Sequence, residues 1–118
     1  MMFTVEATRR AEGDVFDILE WLVFDILEWL DERSTRGKEN WWNAYQHGLK
    51  TLRESADSFG RAPESRGFSE DLHEHFFKTR YGQTYRLVFL IRAEIVYVLQ
   101  VRSTGQQLLS RDEIEIPD

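Results

Sequence analysis

The residues best suited to chemistry are cations in the second half of the chain. From position 76 to position 111 the only acid is Glu94, and the basic residues are Lys78, Arg80, Arg86, Arg92, Arg102 and Arg111. Such a segment can bind phosphate groups or an acidic protein partner. The same arginines fit ordinary solvation of strand edges equally well. Both interpretations stay open at the level of sequence, in a chain whose net charge is −6.

Histidines offer a second kind of chemistry. His73 and His75 are two residues apart in a predicted strand, so their side chains share one face, and His47 is a further imidazole. No additional ligand stands at a motif spacing, so we predict no metal site. The chain has no cysteine, which excludes disulfides and thiolate ligands. It also has no Gly-rich phosphate loop and no Ser-His-Asp signature, so we predict no cofactor.

The elements that must position these residues follow the order β-α-α-β-β-β. Predicted strands cover Phe3–Ala7, Leu72–Thr79, Thr84–Ile91 and Ile95–Val101, and predicted helices run from Arg10 to Arg33 and from Lys38 to Ser58, with turns at 34–37, 81–83 and 92–94. The pattern predicts one α+β domain over residues 1–118, with a helix hairpin packed on a small, mainly antiparallel sheet. The last two strands are apolar on both faces. We therefore expect a cover over the second face as well, for which another chain is one candidate.

The second predicted helix has a regular apolar stripe, formed by Trp42, Tyr45, Leu49, Leu52, Ala56 and Phe59. Spacings of three and four residues place these side chains on one face of a helix. We predict that this face, with Trp42 in it, packs in the core.

The first predicted helix contains the sequence VFDILEWL twice in succession, at residues 15–30. Eight residues advance a helix by about 12 Å and rotate it by about 80° beyond two full turns. On a helical wheel the carboxylates fall within an arc of about 140°, opposite the apolar residues. Trp21 and Phe24 are large residues on the acidic side. The duplicated segment can therefore remain one amphipathic helix, extended by the repeat.

This longer helix has two interpretations. One is a core helix with two surface aromatics, and the other is a helix whose surplus apolar face is covered by a second chain. We predict the second, a homodimer whose interface includes Trp21, Val23, Phe24 and Leu27, with domain swapping as one way to form it.

No membrane segment is predicted. Residues 15–30 are too short to span a bilayer and contain four carboxylates. Residues 1–10 lack an apolar run after a basic start, so we expect no signal peptide and a cytoplasmic location.

Three short segments carry a resemblance to a known family. They are Ala62-Pro63-Glu64, Tyr85-Arg86-Leu87-Val88-Phe89, and Val98-Leu99-Gln100-Val101-Arg102 followed by a tail with glutamines. Together with the element order, they make the chain resemble the RelE/ParE family of bacterial toxins from toxin–antitoxin pairs. The resemblance covers nearly the whole chain once one copy of the repeat is removed. It implies a cognate antitoxin that wraps the toxin with a helix or a strand.

The resemblance implies two activities. RelE-like members cleave messenger RNA on the ribosome without a metal, whereas ParE-like members poison DNA gyrase. For cleavage, Arg86 matches the strand arginine of the family and would hold the phosphate with Arg102 as a second catalytic cation, and Lys78 and Arg80 would assist. The RelE-like pattern has Tyr or His after the last strand, where this chain reads 103–109 without either. Two alternatives remain open: Arg86 paired with a helix carboxylate, and a non-toxic variant defined by its altered oligomeric state.

Overall fold

Two helices and four strands follow one another in the predicted order. The computed structural model describes residues 2–26, 31–79, 84–104 and 113–117. The elements are β1 (Thr4–Ala7), α1 (Arg9–Ile26), α2 (Asp31–Ser55), β2 (His73–Lys78), β3 (Thr84–Arg92) and β4 (Ile95–Ser103), with short 3-10 helices at Ala56–Ser58 and Pro63–Gly67. This order confirms the predicted α+β fold.

The strands form one mixed sheet in the order β1-β4-β3-β2. β3 is antiparallel to both of its neighbours, and β1 is parallel to β4. The register between β3 and β4 shifts once, because Val88 lies opposite Gln100 whereas Phe89 lies opposite Val98. The additional residue, Leu99, is a β-bulge. The bulge reverses which face of the sheet each following residue of β4 occupies. Beyond the bulge, β3 and β4 pair again residue by residue up to Tyr85 and Ser103.

Beyond the short strand β1, the start of α1 makes hydrogen bonds to the backbone of β4. Thr8 caps the helix, since its Oγ1 accepts a hydrogen bond from the Ala11 N–H at 3.2 Å. The Thr8 N–H donates to the Val98 carbonyl at 3.0 Å. Six residues after Thr8, the Asp14 carboxylate accepts from the Val101 N–H at 3.0 Å. These bonds fix α1 on the sheet, and they take Asp14 out of the exposed acidic face that the helical wheel predicts.

The larger core lies between the helices and the sheet, and Trp41 is at its centre. Trp41 is 1% exposed. Its ring stacks on Tyr45 at 5.3 Å and meets Phe77 and Tyr85 edge-on, both at 5.7 Å between centroids. Trp42, in contrast, is 44% exposed, so its predicted core position is wrong. Adjacent helical residues point about 100° apart, and only the packed sheet shows which of the two tryptophans faces inward.

The boundary between the helices also differs from the prediction. Residues 31–33, predicted to end the first helix, and the predicted turn at 34–37 all belong to α2. Ser, Thr and Gly are weak helix formers, but each costs only about 1 kcal/mol or less. A long helix that is already nucleated can include them. The first copy of the repeat lies within α1, which continues to Ile26, and residues 27–30 lie outside the described residues.

The second face of the sheet is covered by the chain itself. Val88, Leu90 and Leu99 pack there against Ala62 and Leu72 from the segment before β2, and against Ile114 from the tail. The apolar second face of β3 and β4, for which another chain was a candidate cover, is therefore buried within the described fold.

The β3–β4 connection is a two-residue turn at Ala93 and Glu94. Arg92, predicted to be part of the turn, ends β3 instead. Ala93 has φ 55°, the positive value that tight hairpin turns require and that costs an L-residue some strain. The predicted turn at 81–83 lies outside the described residues.

Replacing each tryptophan in turn should separate the two positions. Trp41→Ala should lower the free energy of unfolding by about 3–5 kcal/mol, because it leaves a large cavity among three other rings. Trp42→Ala should change it by less than about 1 kcal/mol, as expected for a partly exposed side chain. Urea unfolding followed by circular dichroism measures both. A larger loss for Trp42→Ala than for Trp41→Ala would contradict the packing described here.

Candidate functional site

Three side chains form a row across the second face of the sheet. Phe76 of β2 lies opposite Arg86 of β3, and Arg86 lies opposite Arg102 of β4. Lys78 follows Phe76 by two residues, so it belongs to the same face. Three of the predicted site residues, Lys78, Arg86 and Arg102, are thus brought together at the edge of the cover. The fourth, Arg80, lies outside the described residues.

Arg86 is held in a buried ion-pair cluster. It is 6% exposed, and its two terminal nitrogens donate to the two carboxylate oxygens of Glu64 at 2.6 and 2.5 Å. Glu74 of β2 accepts a further bond at 3.3 Å. The hydrogen bonds that Arg86 donates to Glu64 outweigh burial and raise the pKa of Arg86 above its ordinary value. This geometry matches the ion-paired alternative, although the carboxylates come from a 3-10 helix and a strand.

Arg102 is less fully engaged. Its Nη1 lies 3.5 Å from Glu113 Oε2, and its buried Nε has no hydrogen-bond partner among the described residues. The Gln100 side chain donates to the Glu113 backbone carbonyl and so holds the tail beside Arg102. Of the two arginines, Arg102 is the one with donor capacity left for another group.

Carboxylates from residues 64–74 compensate much of the positive charge on this side of the sheet. Besides the Arg86 cluster, Arg92 donates to both oxygens of Glu70 at 2.8 and 2.5 Å, and the hydrogen bond from Arg92 lowers the pKa of Glu70. Arg61 donates to Asp71 at 3.1 Å. The basic excess counted along residues 76–111 therefore does not form a continuous basic surface on the described part of the chain.

The histidines lie on the opposite, helix-facing side of the sheet. His73 Nδ1 is 3.1 Å from the Phe59 carbonyl, and the His75 ring lies 4.2 Å from the Phe59 ring. Burial, with a smaller contribution from His47, lowers the pKa of His75. No three His, Asp or Glu side chains within residues 2–26, 31–79, 84–104 and 113–117 are placed to hold a metal ion.

The structure does not test the predicted dimer interface. Trp21, Val23 and Phe24 belong to α1, and Leu27 lies outside the described residues. Their role in a dimer stays a prediction. No helix in the described ranges combines the length and apolarity needed to cross a bilayer.

Several residues of the site were not predicted from the sequence. Strand alternation is a signal that could have grouped Glu74 and Phe76 with Lys78. Glu64 stands in a segment that marks the family resemblance, but nothing in the sequence pairs it with Arg86, 22 residues away. Gln100 and Glu113 meet only because of the bulge in β4 and the path of the tail.

Removing the buried arginine should test whether its ion pair stabilises the fold. Arg86→Met should destabilise the protein by about 3–5 kcal/mol, because Glu64 then stays buried without a counter-charge. Adding Glu64→Gln should recover a substantial part of that loss. Arg61→Met is the matched control, because the Arg61 and Asp71 side chains are 68% and 54% exposed, and it should cost less than about 1 kcal/mol. Chemical denaturation measures all four proteins, and equal losses for both arginines would contradict the role of the buried pair.

Comparison with known proteins identifies a related fold. No protein-family model and no curated protein matches the sequence. Among solved structures, the chain is similar to a chain of the "Chromosomal ParDE TA system from P. aeruginosa", with a TM-score of 0.55 and 14% sequence identity. The match covers 86% of this chain and 96% of that one. At this identity the similarity shows a shared fold, and it confirms the fold expected from the RelE/ParE resemblance.

Proposed function

We propose that this protein is a ParE-like toxin of a bacterial toxin–antitoxin pair, or a relative that keeps the partner-binding surface without the activity. The observation that supports this most directly is the fold similarity, which extends over most of both chains. The family-like segments also support it, because Glu64 is hydrogen-bonded to Arg86, which lies opposite Arg102 in the sheet. The proposed place of action is the cytoplasm.

The proposed partner is a cognate antitoxin bound along β2. The segment before β2 occupies the first part of its outer edge, where Arg61 lies opposite His73 and the Glu74 N–H donates to the Gly60 carbonyl. Toward Lys78, no strand among the described residues continues this pairing. An added antitoxin strand would supply the missing hydrogen bonds. Phe76, which is 48% exposed, and Lys78 lie beside that edge as side-chain contacts.

The charge pattern favours an inhibitor of DNA gyrase over an RNA endonuclease. Metal-free RNA cleavage needs a base for the 2′-hydroxyl, a cation near the phosphorane and an acid for the leaving oxygen. Arg86 is already paired with two carboxylates, and residues 103–109 contain neither Tyr nor His. The alternative function, a ribosome-dependent mRNA endonuclease, would have to depend on Arg102 and Lys78.

Induced expression in a bacterium tests the proposal. We expect growth arrest that is relieved when the antitoxin from the neighbouring gene is produced together with the toxin. The purified protein should then inhibit supercoiling by gyrase and leave messenger RNA on ribosomes intact. Arg102→Ala should weaken the arrest, because it removes the cation with spare donors. Arg61→Ala, whose exposed side chain lies away from the row, is the control.

Other outcomes distinguish the alternatives. Ribosome-dependent cleavage that falls at least tenfold in Arg102→Ala, a loss of about 1.4 kcal/mol in transition-state stabilisation, would establish the endonuclease instead. Normal growth with or without the antitoxin would favour the non-toxic variant with altered oligomeric state.

A homodimer driven by the repeat is proposed alongside this function. A fold of this size has room for one copy of the repeat, and the other adds eight residues to the helix hairpin, about 12 Å of chain when helical. Exposing the added apolar side chains would cost about 1.5–3 kcal/mol for each large one. Closed two-fold pairing, with or without exchange of elements, covers both surplus faces at once.

Light scattering after gel filtration measures the oligomeric state. We expect a dimer for the full chain and a smaller species for a version lacking Val23–Leu30. Monomers in both cases would mean that the repeat is accommodated within one chain.

A further inference from the structure

The outer edge of β2 is paired over its first residues only. The segment before β2 runs antiparallel to it and places Arg61 opposite His73. The Glu74 N–H donates to the Gly60 carbonyl at 3.1 Å, so Gly60 lies opposite Glu74. Beyond Glu74, no other strand or bridge among the described residues lies on this side of β2.

The hydrogen-bond pattern of β2 shows which backbone groups face outward. In an antiparallel ladder, alternate residues direct both their N–H and their C=O to the same neighbouring strand. β2 pairs with β3 from His73 to Lys78 without a register shift. Since the Glu74 N–H points away from β3, the N–H and C=O groups of Phe76 and Lys78 point away from it as well. These two residues therefore offer their backbone groups to an added strand.

The side chains at this edge have one uncompensated charge. Phe76 and Lys78 lie on the second face of the sheet with Glu74. Phe76 is 48% exposed, and Lys78 is exposed and forms no ion pair within the described residues. Glu74 already accepts a hydrogen bond from the buried β3 arginine, and Arg61 and Asp71 pair with each other at 3.1 Å. A strand that carries an acidic residue opposite Lys78 would complete this edge.

A second copy of β2 does not supply that acid. Pairing two edges about Phe76 would place Lys78 of one copy opposite Glu74 of the other, where Gly60 already lies. Pairing them about Phe77 places each lysine opposite Phe76, and pairing them about Lys78 places the two lysines against each other. The edge is therefore complementary to a different chain.

We propose that the free part of the β2 edge binds an extended segment of a partner with an acidic residue opposite Lys78 and, two residues later, an apolar residue opposite Phe76. The segment runs antiparallel to β2, the more stable arrangement per residue. Pairs of opposite charge, and of an aromatic ring with a β-branched side chain, stabilise adjacent strands. This inference rests on the proposed strand addition by an antitoxin, and it specifies the sequence pattern that the edge selects.

NMR titration with defined peptides tests the pattern. The probe is a blocked, Thr-rich peptide of about eight residues centred on Glu-Thr-Val, and matched peptides are centred on Lys-Thr-Val and on the reversed order Val-Thr-Glu. We expect saturable shifts of the Phe76 and Lys78 amide signals with the Glu-Thr-Val peptide. Binding should be about fivefold weaker for the Lys-Thr-Val peptide, and also weaker for the reversed one. Phe76→Ala should weaken binding of the Glu-Thr-Val peptide about threefold.

A charge swap shows whether Lys78 sets the preference. Lys78→Glu should make the Lys-Thr-Val peptide bind about fivefold more tightly than the Glu-Thr-Val peptide. Lys50→Glu is the matched control and should leave the original preference unchanged. Lys50 is exposed on α2, two residues and so about 200° around the helix from Gly48, which packs on Phe77.

Three results would overturn the inference. They are no saturable binding of any peptide, the same preference before and after Lys78→Glu, and amide signals of Phe76 and Lys78 that depend on protein concentration without peptide, which would assign the edge to a second copy. The titration needs no toxin activity, so it is separable from the growth assay. Growth arrest relieved by the antitoxin, without the peptide preference, would overturn this inference alone. The peptide preference in a protein that does not arrest growth would support the inference and count against the toxin.

Discussion

The strands β3 and β4 are apolar on both faces, and this constraint organises the molecule. A buried strand of this kind needs a cover on each side. The helices provide one, through Trp41 and the rings around it. The second cover consists of the segment before β2 and the tail, which have little regular secondary structure. Ala62, Leu72 and Ile114 from these segments pack on Val88, Leu90 and Leu99. A segment without regular secondary structure makes few backbone hydrogen bonds to a sheet, so other contacts must hold it in place.

Charged and polar side chains supply those contacts. The Glu64 carboxylate meets Arg86 through two parallel hydrogen bonds at the margin of the second cover. Glu70 does the same with Arg92, and Gln100 holds the tail through the Glu113 carbonyl. Bidentate ion pairs of this type are directional as well as strong. They therefore fix the position of the segment on the sheet. The same pairs engage cations that would otherwise be available to phosphate.

The two sides of the molecule therefore present different chemistry to a partner. The sheet side has compensated arginines, one exposed phenylalanine and a strand edge that is partly free. The helix side has carboxylates without ion partners among the described residues. A strand-like segment suits the first surface.

The sequence by itself determined the element order and the strand positions, because alternation and helical spacing are local properties. The repeated segment and the apolar character of β3 and β4 could also be read directly from the sequence. Tertiary structure decided which tryptophan is buried, since Trp41 and Trp42 both fit helical stripes and only the rings of Phe77 and Tyr85 distinguish them. It also decided the role of Arg86. A lone strand arginine has the same sequence signature whether it faces a phosphate or a carboxylate, and the partner, Glu64, is brought to it only when the chain folds back over the sheet.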